Sequence, residues 1–113
     1  MFSVVFYRTE AGTEPALDWF RQLEPEERKI VGTDLRTLQI GFPIGMPLCR
    51  SLGDGIWELR SSLPSRIARV LFLIDGHTFV VLHGFIKKSQ QTPKAELGTA
   101  RARKRAYARA DRR

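Results

Sequence analysis

The spacing of apolar residues changes several times along the chain, and each change marks an element. Residues 2–8 alternate: Phe2, Val4 and Phe6 share one side, and Ser3, Val5 and Tyr7 the other, which predicts a strand. A turn over residues 9–13 contains Gly12. Thr13 is placed to cap a helix that begins at Glu14-Pro15, since proline suits the first turn and an acid there suits the helix dipole. Leu17, Phe20 and Leu23, with Ala16 beside them, form its apolar stripe. A second helix opens at Pro25 and carries Glu26 and Glu27 in its first turn. Val31, Leu35 and Leu38 recur at helical spacing before Gly41-Phe42-Pro43 ends it. The link between the two helices is very short, so they predict an αα-hairpin.

Residues 42–55 hold Pro43, Gly45, Pro47, Gly53 and Gly55. They read as an extended loop, with room for a short strand near Leu48–Leu52. Three strands follow. Ile56–Ser61 alternates, with Trp57 and Leu59 on one face and Ile56, Glu58 and Arg60 on the other. Ile67–Ile74 is an almost continuous apolar run broken by Arg69. Asp75-Gly76 is a hairpin signal, and Thr78–Ile86 is the last strand. Thr92-Pro93 opens an Ala-rich helix with Glu96 in its first turn. The expected order is β-α-α-β-β-β-α, an α+β fold. Its three consecutive strands form an antiparallel meander, the first strand joins one edge, and the helical hairpin packs on one face. The last helix is less secure. Arg103 and Lys104 fall between Leu97, Ala100 and Tyr107, and little apolar surface remains beyond about residue 102. That end is expected to fray or to order on a partner.

Composition narrows the class. A chain of 113 residues with 42% hydrophobic and 27% charged residues makes one globular domain. Cys49 is a lone cysteine, and no Cys/His spacing suits zinc, which fits a reducing, cytoplasmic setting. The N-terminus shows no signal-peptide pattern, and no stretch approaches a membrane span. The net charge of +7 is unevenly spread. Residues 99–113 contribute +6 of it, against +1 from residues 1–98. The expected organisation is a domain over 1–98 followed by a basic helical extension or tail over 99–113. Arg101, Arg105 and Arg109 line up at i, i+4 and i+8 as a basic ridge, suited to a polyanion such as RNA.

The chemistry-bearing residues lie in the near-neutral body. Glu58 and Arg60 share a strand face, which by itself reads as an ordinary surface ion pair. Arg69 strengthens a functional reading. It sits in an otherwise apolar run, and arginine is almost never buried unless paired. In the expected hairpin, Arg60 and Arg69 become near cross-strand neighbours. Two adjacent guanidinium groups are unfavourable unless an anion lies between them, and phosphate matches their planar forks. Lys87 and Lys88 add point charges where the last strand ends. His83 is either a packed core histidine or a proton-transfer group, and His77 lies at a turn. No Gly-rich phosphate loop, nucleophile elbow or metal-ligand spacing is present, so neither a metal nor a cofactor is expected.

Three stretches together carry a resemblance: Gly55-Ile56-Trp57-Glu58-Leu59-Arg60, Arg69-Val70-Leu71-Phe72, and Leu82-His83-Gly84-Phe85-Ile86-Lys87-Lys88-Ser89-Gln90-Gln91-Thr92-Pro93. The sequence from residue 2 to about 100 resembles the HigB-like, phage-derived branch of the RelE/ParE toxin superfamily. The resemblance implies a RelE-like α+β toxin of a type II toxin–antitoxin pair. It implies a metal-independent endoribonuclease that cuts mRNA on the ribosome, with a helix-turn-helix antitoxin as partner. By position, Arg60 and Arg69 would clamp the scissile phosphate, and Lys87 would add charge or move protons. His83 would be the acid or base, and Glu58 a base or an orienting partner. Lys88, Arg50, Arg66, Arg101 and Arg105 complete the expected RNA-binding set. Ser89 stands where the family pattern has threonine, and Tyr107 does not align with the tyrosine of some superfamily nucleases. Two other readings stay open: a same-fold toxin acting on a protein such as gyrase, and a non-enzymatic nucleic-acid-binding module driven by the tail.

Overall fold

The apolar run that Arg69 interrupts is the middle of a five-stranded sheet. In the computed structural model, which describes residues 1–45, 48–86 and 92–111, the elements follow in the order β1 (Ser3–Phe6), α1 (Pro15–Gln22), α2 (Pro25–Gly41), β2 (Cys49–Gly53), β3 (Ile56–Ser62), β4 (Ile67–Asp75), β5 (Thr78–Ile86) and α3 (Lys94–Asp111). The strand order is β1-β5-β4-β3-β2. The antiparallel meander and the edge position of β1 are as expected, and β1 runs parallel to β5. The short strand near residues 48–52 is a full member of the sheet, so the order is β-α-α-β-β-β-β-α. Asp54-Gly55 explains this. Gly53 pairs with Ile56, which leaves a two-residue turn with positive φ at both positions, 56° at Asp54 and 75° at Gly55. The β4–β5 hairpin differs from the Asp75-Gly76 turn the sequence suggests: Asp75 pairs with Thr78, so Gly76-His77 forms the turn, with positive φ at Gly76 alone.

Both faces of the sheet are covered. The α1–α2 hairpin closes one over Leu59, Val70, Phe72, Phe79 and Val81, using Val31, Leu35 and Leu38. α3 closes the other over Ile56, Leu71, Leu73, Val80 and Leu82, with Ala100 buried and Leu97 and Tyr107 beside it. A central strand buried on both sides has no reason to alternate, which is why β4 is apolar almost throughout.

The expected fraying of the last helix is corrected. α3 continues to Asp111 and crosses position 98 without a break. Its apolar surface is indeed scant, but polar groups supplement it. Arg103 donates from NH1 to the Leu82 carbonyl at 2.9 Å, and the Tyr107 hydroxyl donates to Asp75 at 2.6 Å. The other side of the helix stays in water.

Two details of α1 also differ. Thr13 does not cap it. Its hydroxyl meets that of Thr9 at 2.7 Å, and its N–H donates to the Thr9 hydroxyl at 3.1 Å, which closes the preceding turn. Leu17 is not part of the packed stripe; Trp19 is, together with Ala16, Phe20 and Leu23. The Trp19 ring lies against Gly84 of β5, in the space a β-carbon would fill. α2 is anchored at its start, where the Glu24 N–H donates to the Glu27 carboxylate at 3.1 Å. Arg66 donates to the same carboxylate from Nε at 2.8 Å and NH2 at 2.7 Å. Those bonds from Arg66, more than the backbone one, hold the Glu27 carboxyl below the ordinary glutamate range.

Gly84→Ala is expected to force Trp19 and α1 off the sheet and to cost about 1–3 kcal/mol, read as a lower urea midpoint at unchanged slope. Glu27 gives an acid-side prediction. A carboxylate with a depressed folded pKa contributes stability that is fully present above its unfolded value of about 4.3 and is lost as pH falls below it, toward the folded value. Urea titrations from pH 7 to pH 3 should show that loss in the unaltered chain. Glu27→Gln should be less stable at pH 7 and should flatten the decline.

Candidate functional site

Strand register builds an arginine cluster on the sheet face that α3 covers. Arg60 of β3 lies directly opposite Arg69 of β4, which in turn lies opposite Phe85 of β5. One row along, Arg50 of β2 faces Glu58 of β3, Glu58 faces Leu71, and Leu71 faces His83. Residues two apart on a strand share a face, so Glu58 and Arg60 come from one alternation and Arg69 and Leu71 from another. The expected adjacency of Arg60 and Arg69 is therefore met by direct pairing of their backbones.

Glu58 is not half of a surface ion pair. It and Arg69 have no exposed surface. The Glu58 carboxylate accepts from Arg50 Nε at 2.9 Å and from the Thr92 hydroxyl at 2.6 Å, and it stands 3.8 Å from Arg69 NH1. Arg50 also reaches the Thr92 hydroxyl, at 3.5 Å. One buried carboxylate thus serves two guanidinium groups, with a third, Arg60, on the adjoining strand position. Burial is the main influence that lowers the Arg69 pKa. The Glu58 charge opposes it, and the positive charges of Arg60 and Arg50 add to it. The cluster carries more positive than negative charge. Arg60 and Arg50 are its partly exposed members. Glu58 sits behind them as a counter-ion and fixes the direction of Arg50.

His83 is placed one row from Arg69 and is held at both ring nitrogens. Nε2 lies 2.9 Å from a Glu96 oxygen, and Nδ1 lies 3.2 Å from Arg103 NH1. A guanidinium nitrogen can only donate, so Nδ1 accepts and Nε2 carries the proton toward Glu96. The ring is also stacked near Phe85, with centroids 5.5 Å apart. A register skip helps to place it. Leu71 pairs with His83 but Phe72 pairs with Val81, so Leu82 is the extra residue of a β-bulge beside the site.

The other expected residues divide. Arg66 is bound to Glu27 in the α2 region and does not join the cluster. Arg101 stands 3.8 Å from Asp54, which Lys104 also approaches at 3.9 Å. Arg105 is exposed on α3. Lys87, Lys88 and Ser89 lie outside the described residues. Cys49 is buried, and its thiol is pushed up to about 11, first by burial and then by the Glu58 charge, so it holds almost no thiolate at neutral pH. Among the described residues, no group of three or more His, Cys, Asp or Glu side chains is placed to hold a metal ion, and no helix is long and apolar enough to cross a membrane.

Sequence reasoning missed Thr92, Glu96 and Arg103 as members of the site. Thr92 and Glu96 read only as helix-start residues and Arg103 only as tail charge. Their partners are 34, 13 and 20 residues away in the chain. The nearest available signal was the Thr-Pro pair closing the last of the three resembling stretches.

The profile of the family described as phage derived protein Gp49-like (DUF891) matches residues 18–105, from α1 through most of α3. No curated protein matches the chain. The matched stretch contains Arg50, Glu58, Arg60, Arg69, His83, Thr92, Glu96 and Arg103, and the chain belongs to this phage-derived Gp49-like family, a family of RelE/ParE-like toxin type.

Proposed function

We propose that the protein is the toxin of a type II toxin–antitoxin pair, of the HigB-like branch, and that it acts in the cytoplasm as a metal-independent endoribonuclease cleaving mRNA on the ribosome. The observation that carries this reading is the direct pairing of Arg60 with Arg69 beside Arg50, around one buried carboxylate. Such a surplus of guanidinium groups suits an anion with several oxygens, and a backbone phosphate is that anion.

In RNA cleavage of this kind, the 2′-oxygen attacks the adjacent phosphorus while the bond from phosphorus to the 5′-oxygen breaks. The hydroxyl proton must leave and the departing oxygen must gain one. Charge grows on the phosphate oxygens in the transition state, and fixed cations aimed at them lower the barrier. Arg60 meets the phosphate from the exposed side of the cluster. Arg69 lies behind it and adds to the field. Glu58 and Thr92 keep the guanidinium groups aimed, with no exposed carboxylate surface left to serve as base. His83, with its proton on Nε2, is the proton-transfer group, and Glu96 yields its place when substrate enters. Lys87 and Lys88 add positive charge. The exposed arginines of α3, Arg101 and Arg105, extend the RNA-contacting surface. A helix-turn-helix antitoxin with an acidic segment over the arginines is the expected partner.

Arg60→Ala is the cleaner test of the cluster. It should lower mRNA cleavage on translating ribosomes by roughly 100-fold, the scale of removing one transition-state donor, and leave thermal unfolding nearly unchanged. Normal cleavage by the folded variant ends the proposal. Arrested growth with intact mRNA and damaged DNA assigns the chain to gyrase-type toxins instead. Arg69→Ala should also destabilise the fold, by about 3 kcal/mol, because it breaks a fully buried pair with Glu58. Chemical denaturation should detect that loss.

A further inference from the structure

Leu82 gives the sheet an anchor for an arginine of α3. It is the extra residue of the β5 bulge, with no register partner on β4, and the β1 register ends at Val81. Leu82 has no exposed surface, so its carbonyl needs a donor from within the protein. Arg103 NH1 supplies one at 2.9 Å, and the same nitrogen reaches His83 Nδ1 at 3.2 Å. A guanidinium NH1 carries two hydrogens, one for each acceptor. The bulge carbonyl thus aims the guanidinium at the ring.

Glu96 and Arg103 lie about two turns apart on α3 and share the face that meets β5. They pull the ring in opposite directions. A carboxylate beside Nε2 favours the imidazolium, which carries a proton on both nitrogens. That ion would set an Nδ1–H against a guanidinium N–H, donor against donor and charge against charge. Arginine stays charged and has no acceptor, so it cannot adapt. Glu58 stands in the same sheet row, two strands away, and Arg60 and Arg69 stand in the next. Among the described residues, Glu96 and Arg103 are the charged groups within hydrogen-bond reach of the ring.

We propose that Arg103 is a positioning residue that keeps His83 to a single proton: by filling Nδ1 it confines that proton to Nε2, the nitrogen offered to substrate. The inference rests on the reading of His83 as the proton-transfer group. It gives α3 a role in the chemistry of the site besides contact with RNA. A β-bulge beside a site re-aims side chains, and here it does so through a helix arginine.

Nitrogen NMR of the imidazole ring, on the full chain at neutral pH, reads the proton directly. The unaltered chain should show His83 with Nε2 protonated and Nδ1 bare. Arg103→Met nearly keeps the length and removes both donated bonds. In it Nδ1 should take up a proton in part of the population. Its kcat for ribosomal mRNA cleavage should fall by roughly 100-fold, the scale of a proton-transfer contribution, with KM held. Arg103→Lys retains a charge and donors and should restore both readouts. Tyr107→Phe loosens the same helix by removing its bond to Asp75, and it should leave the His83 pattern unchanged. A protonated Nδ1 in the unaltered chain overturns the proposal without any variant. So does an unchanged pattern in folded Arg103→Met. The same change in Tyr107→Phe overturns it too, because helix docking then explains the effect. If the ring behaves as expected and the unaltered chain cuts no mRNA, the placement of the proton stands and the cleavage reading falls.

Discussion

The buried contact between Glu58 and its cationic neighbours is the constraint around which the rest is arranged. A carboxylate taken fully out of water costs several kcal/mol unless charge and hydrogen bonds replace the lost solvent. Here β2 supplies Arg50, β4 supplies Arg69, and the approach to α3 supplies Thr92. Each of these segments must reach its place for the carboxylate to be satisfied. The same contact permits two arginines to face each other across β3 and β4, an arrangement that like-charge repulsion would otherwise oppose. Structure and chemistry therefore draw on one group. Glu58 ties β2, β4 and the approach to α3 together beneath the sheet face and holds the Arg50 guanidinium in place.

Sheet architecture decides where that constraint falls. β4 is central and covered on both faces, so any polar residue on it must be matched within the protein. Arg69 is that residue. It lies near the end of the strand, away from the apolar packing of Leu71 and Leu73 under α3. The bulge at Leu82 adds a local change of pitch on β5, and His83 comes to lie over the same row as Glu58. Apolar layers thus supply rigidity at one end of the face, while charged rows occupy the other.

Much of this was legible in the residues. The helical hairpin, the meander and the Arg60–Arg69 pairing all follow from apolar period and turn chemistry, which act locally. The failures have physical causes. Residues 42–55 read as an extended loop with room for only a short strand near Leu48–Leu52, because Pro43, Gly45 and Pro47 dominate the pattern, although Asp54-Gly55 carries a hairpin signal of its own. Spacing alone puts Leu17 rather than Trp19 in the α1 stripe, because it cannot see the recess that Gly84 leaves for the Trp19 ring. Apolar content alone predicts a frayed end to α3, yet Arg103 and Tyr107 fasten it through hydrogen bonds to distant partners. Arg66 belongs to the expected RNA-binding set, but the tertiary fold brings Glu27 to it, 39 residues away in the chain.

The position of α3 in the chain has a consequence for the order in which the protein matures. Every strand precedes it, and it brings Glu96 and Arg103 to a histidine on the strand before it. During N-to-C synthesis, domains assemble from the parts already made, at roughly 5–20 residues per second. The sheet and helical hairpin can therefore gather first, with the arginine face bare. Thr92 and α3 arrive afterwards to seat Glu58 and orient His83. Assembly of the charged face thus follows the making of the strands, so an emerging chain passes through its sheet-forming stage before its cations are aligned.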